Sequence, residues 1–128
     1  MREPLARGWA TVDLDRAVRE LDAAGASRDG FEPADRSEAL GARCLLGRAA
    51  GGQRWIVVLE PDTEGRTAAF LARNGEGWAA TWLEDDDDAM PSSRSGAASP
   101  GPLGPERLEP GTPFGPFRLW VPPATIRR

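Results

Sequence analysis

The chain has 128 residues, 40 % of them hydrophobic, and sets 16 arginines against 20 acids for a net charge of −4. That length suits one domain with a packed core. Histidine, lysine and tyrosine are absent. Their absence excludes Ser-His-Asp and Cys-His chemistry, His-ligated metal, and any side chain that ordinarily titrates near neutrality. An acidic balance also opposes binding to nucleic acid.

The pattern predicts a strand over Gly8 to Asp13, with Trp9, Thr11 and Val12 as its β-formers. Asp13 or Asp15 can cap the following helix by accepting from free N–H groups of its first turn. Leu14, Ala17, Val18, Leu21 and Ala24 share one face of that helix, and Gly25 suits its left-handed end. Phe31 begins a brief strand, and the polar run Asp35 to Leu40 reads as a turn or short helix. Gly41 to Ala49 is a strand that runs into a hairpin signal at Ala50-Gly51-Gly52-Gln53. Cys44 is the single cysteine, so no internal disulfide forms, and its apolar surroundings predict a buried, inert thiol. Trp55 to Leu59 is the most β-prone run and predicts a strand buried on both faces, stopped by Pro61.

A second helix is predicted over Thr63 to Arg73, with Asp62 or Thr63 as its cap and Asn74-Gly75 as its end. Trp78 to Leu83 reads as a further strand. The composition then changes: Asp85 to Asp88 is an unbroken acid run, and nine of the 12 prolines lie between Pro91 and Pro123. Proline removes donors and fixes φ, so a long helix or central strand does not fit there. A mobile loop over 85–104 is expected, with order returning at Pro105 to Leu108 and at Phe117 to Val121. The acid run lacks the alternating ligands and turn glycine of a calcium loop. Gly51-Gly52 lacks the lysine and helix start of a phosphate loop. The amino-terminal residues show no apolar segment of signal-peptide type, and no apolar run approaches the roughly 18 residues of a membrane span. A cytoplasmic protein without a membrane or nucleic-acid partner is the expectation.

Three stretches carry a resemblance to a known family. Thr11 to Val18, with Leu21 and Gly25, is similar to a first strand followed by a "DLDxA…L…G" helix. Val57-Val58-Leu59-Glu60-Pro61, with Phe70-Leu71-Ala72-Arg73-Asn74-Gly75-Glu76-Gly77, resembles the run "ELLEP…FLxxxGEG". Residues 118–125 look like a penultimate strand and an "HPxxT" turn. These are features of the vicinal oxygen chelate superfamily, which includes glyoxalases, methylmalonyl-CoA epimerases and bleomycin-resistance proteins. The resemblance implies an α+β fold in one domain over 1–128. Paired βαβββ-type modules would form a curved mixed sheet with a cleft. Module one would span about 5–61, the connecting helix about 62–75, and module two about 76–128. The second module reads as degenerate, lacking its helix, and the final strand of the family falls beyond the end of the sequence. Pairing of chains as a homodimer is also implied.

The family's metal ligands would fall at about Ala6, at Val57, at Ala79 or Ala80, and on that final strand. Hydrocarbon side chains supply no donor to a divalent ion, so the expectation is no metal and no cofactor.

Five tryptophans, Trp9, Trp55, Trp78, Trp82 and Trp120, fall on proposed strands, where they either fill the core or line a cleft for a planar ligand. Trp78 and Trp82 are four apart, so strand alternation would put them on one face with Ala80 between them as a slot. Trp9, Trp78, Ala80, Trp82 and Trp120 are therefore the candidate ligand-binding residues. The functional expectation is metal-free binding or sequestration of a planar or aromatic small molecule. Two alternatives stand beside it. One is a metal-independent isomerase or lyase that uses Glu60 or Glu84 as general base. The other is a degenerate module that acts by pairing with another chain through its unfilled sheet edge.

Overall fold

The structure, a computed structural model, describes residues 4–50, 54–84, 98–111 and 115–122. Along the chain lie β1 (Ala6–Ala10), α1 (Leu14–Ala23), β2 (Ser27–Ser37), β3 (Ala42–Ala49) and β4 (Trp55–Pro61). They are followed by α2 (Arg66–Asn74), β5 (Gly77–Glu84), β6 (Arg107–Leu108) and β7 (Phe117–Val121). The strands form one mixed sheet in the order β2-β3-β4-β1-β5-β7-β6. β1 runs parallel to β4 and β5 parallel to β7, while the other pairs are antiparallel. Each half thus closes on itself by pairing its first strand with its last, as expected of two βαβββ-type modules. No helix among the described residues is long and apolar enough to cross a membrane.

β4 is central, and Ile56, Val57, Val58 and Leu59 are all buried, which explains its unbroken apolar run. Its odd-numbered side chains join one large core with Ala6, Ala10, Cys44, Trp82, Phe117, Leu119 and Val121. Val58 joins a smaller core under α1, with Ala17 and Leu21 and the flanking Trp9, Phe31 and Leu45. Burying Leu21 there contributes roughly 2 kcal/mol. Asp13 caps α1 by accepting the Arg16 N–H at 3.1 Å, and Gly25 turns the chain away at φ 77°. The helix is tied to the start of β5 by Glu76, which takes the Arg16 guanidinium at 3.2 and 2.5 Å and the Val12 N–H at 3.2 Å.

Several expectations need correction. β7 is not a penultimate strand: it lies beside β5 in parallel, the place that β4 holds beside β1, so the last-strand position of module two is filled. β2 is a strand of 11 residues, not a brief one followed by a turn. As an edge strand it exposes most of its side chains, so an apolar alternation never developed, and register shifts beside Phe31 and Ala34 break what remains. β1 ends at Ala10 because Thr11 Oγ1 accepts the Asp13 N–H at 3.0 Å and turns the chain, leaving Val12 exposed. α2 starts at Arg66 with Gly65 as its cap. Asp62, an expected cap, is instead held by Arg36 at 3.0 and 2.6 Å. Of the loop expected over 85–104, residues 101–103 are buried, Leu103 in the large core. The hairpin signal at 51–53, the acid run, and the place of the missing module-two helix at 85–97 lie outside the described residues.

Gly8 shows how tight the large core is. A Cβ there would lie 2.8 Å from Cζ3 of Trp82 and 3.0 Å from Cδ1 of Leu59. Replacing a strand glycine by alanine ordinarily stabilises or is neutral. Here Gly8→Ala is expected to destabilise by about 1–3 kcal/mol through overpacking, and Trp82→Phe is expected to recover part of that loss. Urea unfolding of the two single variants and the double variant measures it. A Gly8→Ala chain as stable as the parent contradicts the contact.

Candidate functional site

The two outermost strands of the sheet order meet. Ser37, the last residue of β2, donates its hydroxyl to Glu106 Oε2 at 2.6 Å, and Glu106 immediately precedes β6. The Glu38 N–H donates to Pro100 O at 3.1 Å along the same seam. The sheet is therefore curled on itself, and the large core is its inner face. α2 plugs one end: Thr67 gives both its N–H and its hydroxyl to Leu40 O, at 2.9 and 2.8 Å, while Phe70 meets Phe117.

The register shows what lines the interior. Trp55 on β4 and Trp82 on β5 both stand opposite Ala6 of β1, while Val57 and Ala80 both stand opposite Gly8. The β1–β5 register slips between Gly8 and Trp9, so that Trp78, and not Ala79, faces Trp9. This bulge inverts the alternation. Trp78 lies edge-on against Trp9, ring centroids 5.1 Å apart, with the Arg7 guanidinium 4.0 Å above its ring. Trp9 packs with the α1 core, so Trp78 and Trp82 are on opposite faces. The slot expected from Trp78, Ala80 and Trp82 does not form. Trp120 alternates with the inward Phe117, Leu119 and Val121, and its indole N–H reaches Glu109 at 3.0 Å. Of the five candidate ligand-binding residues, Ala80 and Trp82 face the interior and the other three do not.

Trp82 is fully buried, and its indole lies over Gly8. Its N–H donates to Glu106 Oε1 at 2.8 Å. Glu106 itself has no exposed surface, and its carboxyl group packs so closely on Gly101 that a Cβ there would lie 2.0 Å from Oε1. Burial pushes Glu106 up to about 7, and the hydrogen bonds from Ser37 and Trp82 work in the opposite direction. This carboxyl group was missed in the sequence, because Glu106 stands among prolines and glycines with no apolar strand around it. The acids that were singled out are elsewhere. Glu60 stands opposite Arg43 on β3 and forms an ion pair with it, on the face away from Val57 and Leu59. Glu84 is half-buried at the end of β5. Cys44 is buried, and desolvation pushes its thiol up to about 12, as fits an inert core residue.

The places where metal ligands would fall carry hydrocarbon. Ala6, Val57, Ala79 and Ala80 are buried members of the large core, and the inward residues of β7 are Phe117, Leu119 and Val121. Val57 and Ala80 flank Gly8 in register, and the Trp82 indole covers that point. Among the described residues, no three His, Cys, Asp or Glu side chains come together. These side chains do not fit a divalent ion.

The end of the curl away from α2, where β3 finishes and β4 begins, holds a cavity of about 260 Å³. Trp55, Arg48, Leu46, Glu32 and Asp29 line it, with Gly30 and Gly47. The Arg48 guanidinium lies 5.4 Å from the Trp55 ring centroid, and the buried Trp55 indole N–H has no hydrogen-bond partner among the described residues. Trp55 read in the sequence as part of a buried strand, and nothing in the periodicity separates it from the core tryptophans.

No protein-family profile and no curated protein matches the sequence. Solved structures do match the fold. The methylmalonyl-CoA epimerase of Mycobacterium tuberculosis superposes with a TM-score of 0.71 at 19 % identity, over 96 % of this chain and 92 % of that one. A variant of the Streptomyces coelicolor methylmalonyl-CoA epimerase in complex with 2-nitronate-propionyl-CoA gives 0.70 at 23 %, over 100 % and 99 %. A hypothetical protein from Bacillus halodurans gives 0.65 at 14 %, over 94 % and 93 %. The fold is thus the one that these methylmalonyl-CoA epimerase structures share.

Because Glu106 is held near 7 in the fold against an ordinary 4.5, the folded state binds its proton more tightly than the unfolded chain does. The associated stability is fully present below about 4.5 and is lost as pH rises through about 7, a change of about 3 kcal/mol. Glu106→Gln keeps an acceptor for Trp82 and carries no charge. It is expected to lack this loss when urea unfolding is compared at about pH 5 and about pH 8. The same pH dependence in both chains contradicts the assignment.

Proposed function

We propose that this chain, built on the vicinal oxygen chelate fold, is a metal-free cytoplasmic protein that binds a small planar ligand at the open end of its curled sheet. The observation that carries the proposal is the pairing of a filled centre with an open end. Trp82 and hydrocarbon occupy the interior where the family's ligand positions converge, and the cavity beside Trp55 remains. Its volume of about 260 Å³ is just below the usual range for small-molecule sites, about 300–1,000 Å³, which favours a small ligand. The Trp55 ring supplies a stacking wall, and the Arg48 guanidinium above it marks a ring face suited to cations. Asp29 and Glu32 add negative charge to the rim. The buried Trp55 N–H has no partner among the described residues; leaving such a group unpaired costs about 1–3 kcal/mol, which a ligand that brings an acceptor removes. Two neighbours of this fold are complexes with 2-nitronate-propionyl-CoA and methylmalonyl-CoA, in keeping with a scaffold that holds small molecules. Nothing in the placement of Glu60, ion-paired with Arg43, favours the isomerase or lyase reading. Pairing of two chains belongs to the proposal through the fold resemblance alone, and a solution mass decides it: a strictly monomeric mass removes it.

Titration with a panel of small planar compounds, cationic and neutral, followed by tryptophan emission, tests the proposal. A saturable response is expected from at least one member, with affinity about tenfold weaker in Trp55→Phe. A panel without any response, or equal affinity in the variant, overturns it. Elemental analysis is expected to find no stoichiometric transition metal, and one ion per chain contradicts the metal-free reading.

A further inference from the structure

The seam between the sheet edges is closed by an ionisable group with no exposed surface, although an amide or a hydroxyl would suffice to close it. Glu106 takes Ser37 from β2 on one oxygen and Trp82 from β5 on the other. Ser37 Oγ also accepts the Leu40 N–H at 3.1 Å, and its second lone pair can accept the O–H of a protonated Glu106. Beside the seam is a cavity of about 320 Å³ between Asp35 and residues 98–101 and 104–105. The charged residues next to Ser37 on β2 are Asp35, Arg36 and Glu38, and Arg36 is paired with both Glu38 and Asp62. From β3 the titratable neighbour is the Cys44 thiol, which stays neutral because burial pushes it up to about 12.

We propose that Ser37, Glu106 and Trp82 form a proton-operated clasp: with its proton Glu106 holds the sheet edges together, and without it the seam opens and exposes the inner face. Two opposed effects set the clasp. The two donors favour the carboxylate, while burial favours the neutral acid. Among the described residues an ionised Glu106 has two hydrogen bonds and forms no ion pair, not even with Arg107 next to it in the chain, so it gains by reaching water. Residues 98–108 move with it, since the Ser99–Glu106 bridge ties the segment to itself and the two residues of β6 join it to β7. The opening uncovers Trp82 and, from across β3, Cys44. It gates the interior whether or not a ligand binds beside Trp55.

Cys44 is the single thiol of the chain and belongs to the same buried core, so it reports the opening in the intact protein. Labelling by a thiol reagent is compared with labelling of the urea-unfolded chain at the same pH, which cancels the reagent's own pH dependence. With Glu106 at about 7 closed and 4.5 open, the protection of Cys44 is expected to fall about thirtyfold between about pH 5.5 and about pH 8.5. In Glu106→Gln it is expected to stay level. Small additions of urea are expected to leave the wild-type labelling rate unchanged, as for a local opening. Three results overturn the clasp: constant protection in the wild type, the same fall in Glu106→Gln, or a urea dependence equal to that of global unfolding. Should Glu106→Gln fail to fold, the wild-type pH and urea series decides by itself.

Discussion

The structure depends on one buried carboxyl group. A seven-stranded sheet in which every neighbour is hydrogen-bonded still has two free edges, and free edges are a liability. Here β2 and the segment leading into β6 meet at Ser37 and Glu106, which turns an open sheet into a curl with an inside. Trp82 is fixed by the same carboxyl group. Gly8 and Gly101 lack side chains where the indole and the carboxyl group need the space.

From that closure the character of the interior follows. Once Trp82 lies across Gly8, the points where the sequence resemblance would put metal ligands are covered by an aromatic ring and faced by alanine and valine. At the rim lie an indole whose N–H has no partner among the described residues, a guanidinium over its ring, and two carboxylates.

Much of the fold was legible. The α1 stripe with Asp13 and Gly25, the apolar run of β4, and the strand–proline–helix–Gly-Glu-Gly order gave the module and its family resemblance. What could not be read was long-range. β2 is polar because it is an edge strand, and only pairing with β3 makes it a strand. β7 read as penultimate because the count of strands assumed a complete second module. The face of Trp78 depended on one bulge opposite Gly8 and Trp9, and a period-two argument has no means to see a slipped residue. Glu106 had no local signal, since its burial is made by Ser37, Trp82 and Gly101, three residues distant from one another in the chain or set in a loop.

The central claim is that Glu106 joins the sheet edges as a buried acid, and a carbon-detected NMR titration of the glutamate side-chain carboxyl groups tests it most directly. One resonance, assigned by its loss in Glu106→Gln, is expected to titrate with a midpoint of about 7. A Glu106 midpoint at the ordinary 4.5 would contradict the account, because a carboxyl group that titrates there is in contact with water and closes nothing.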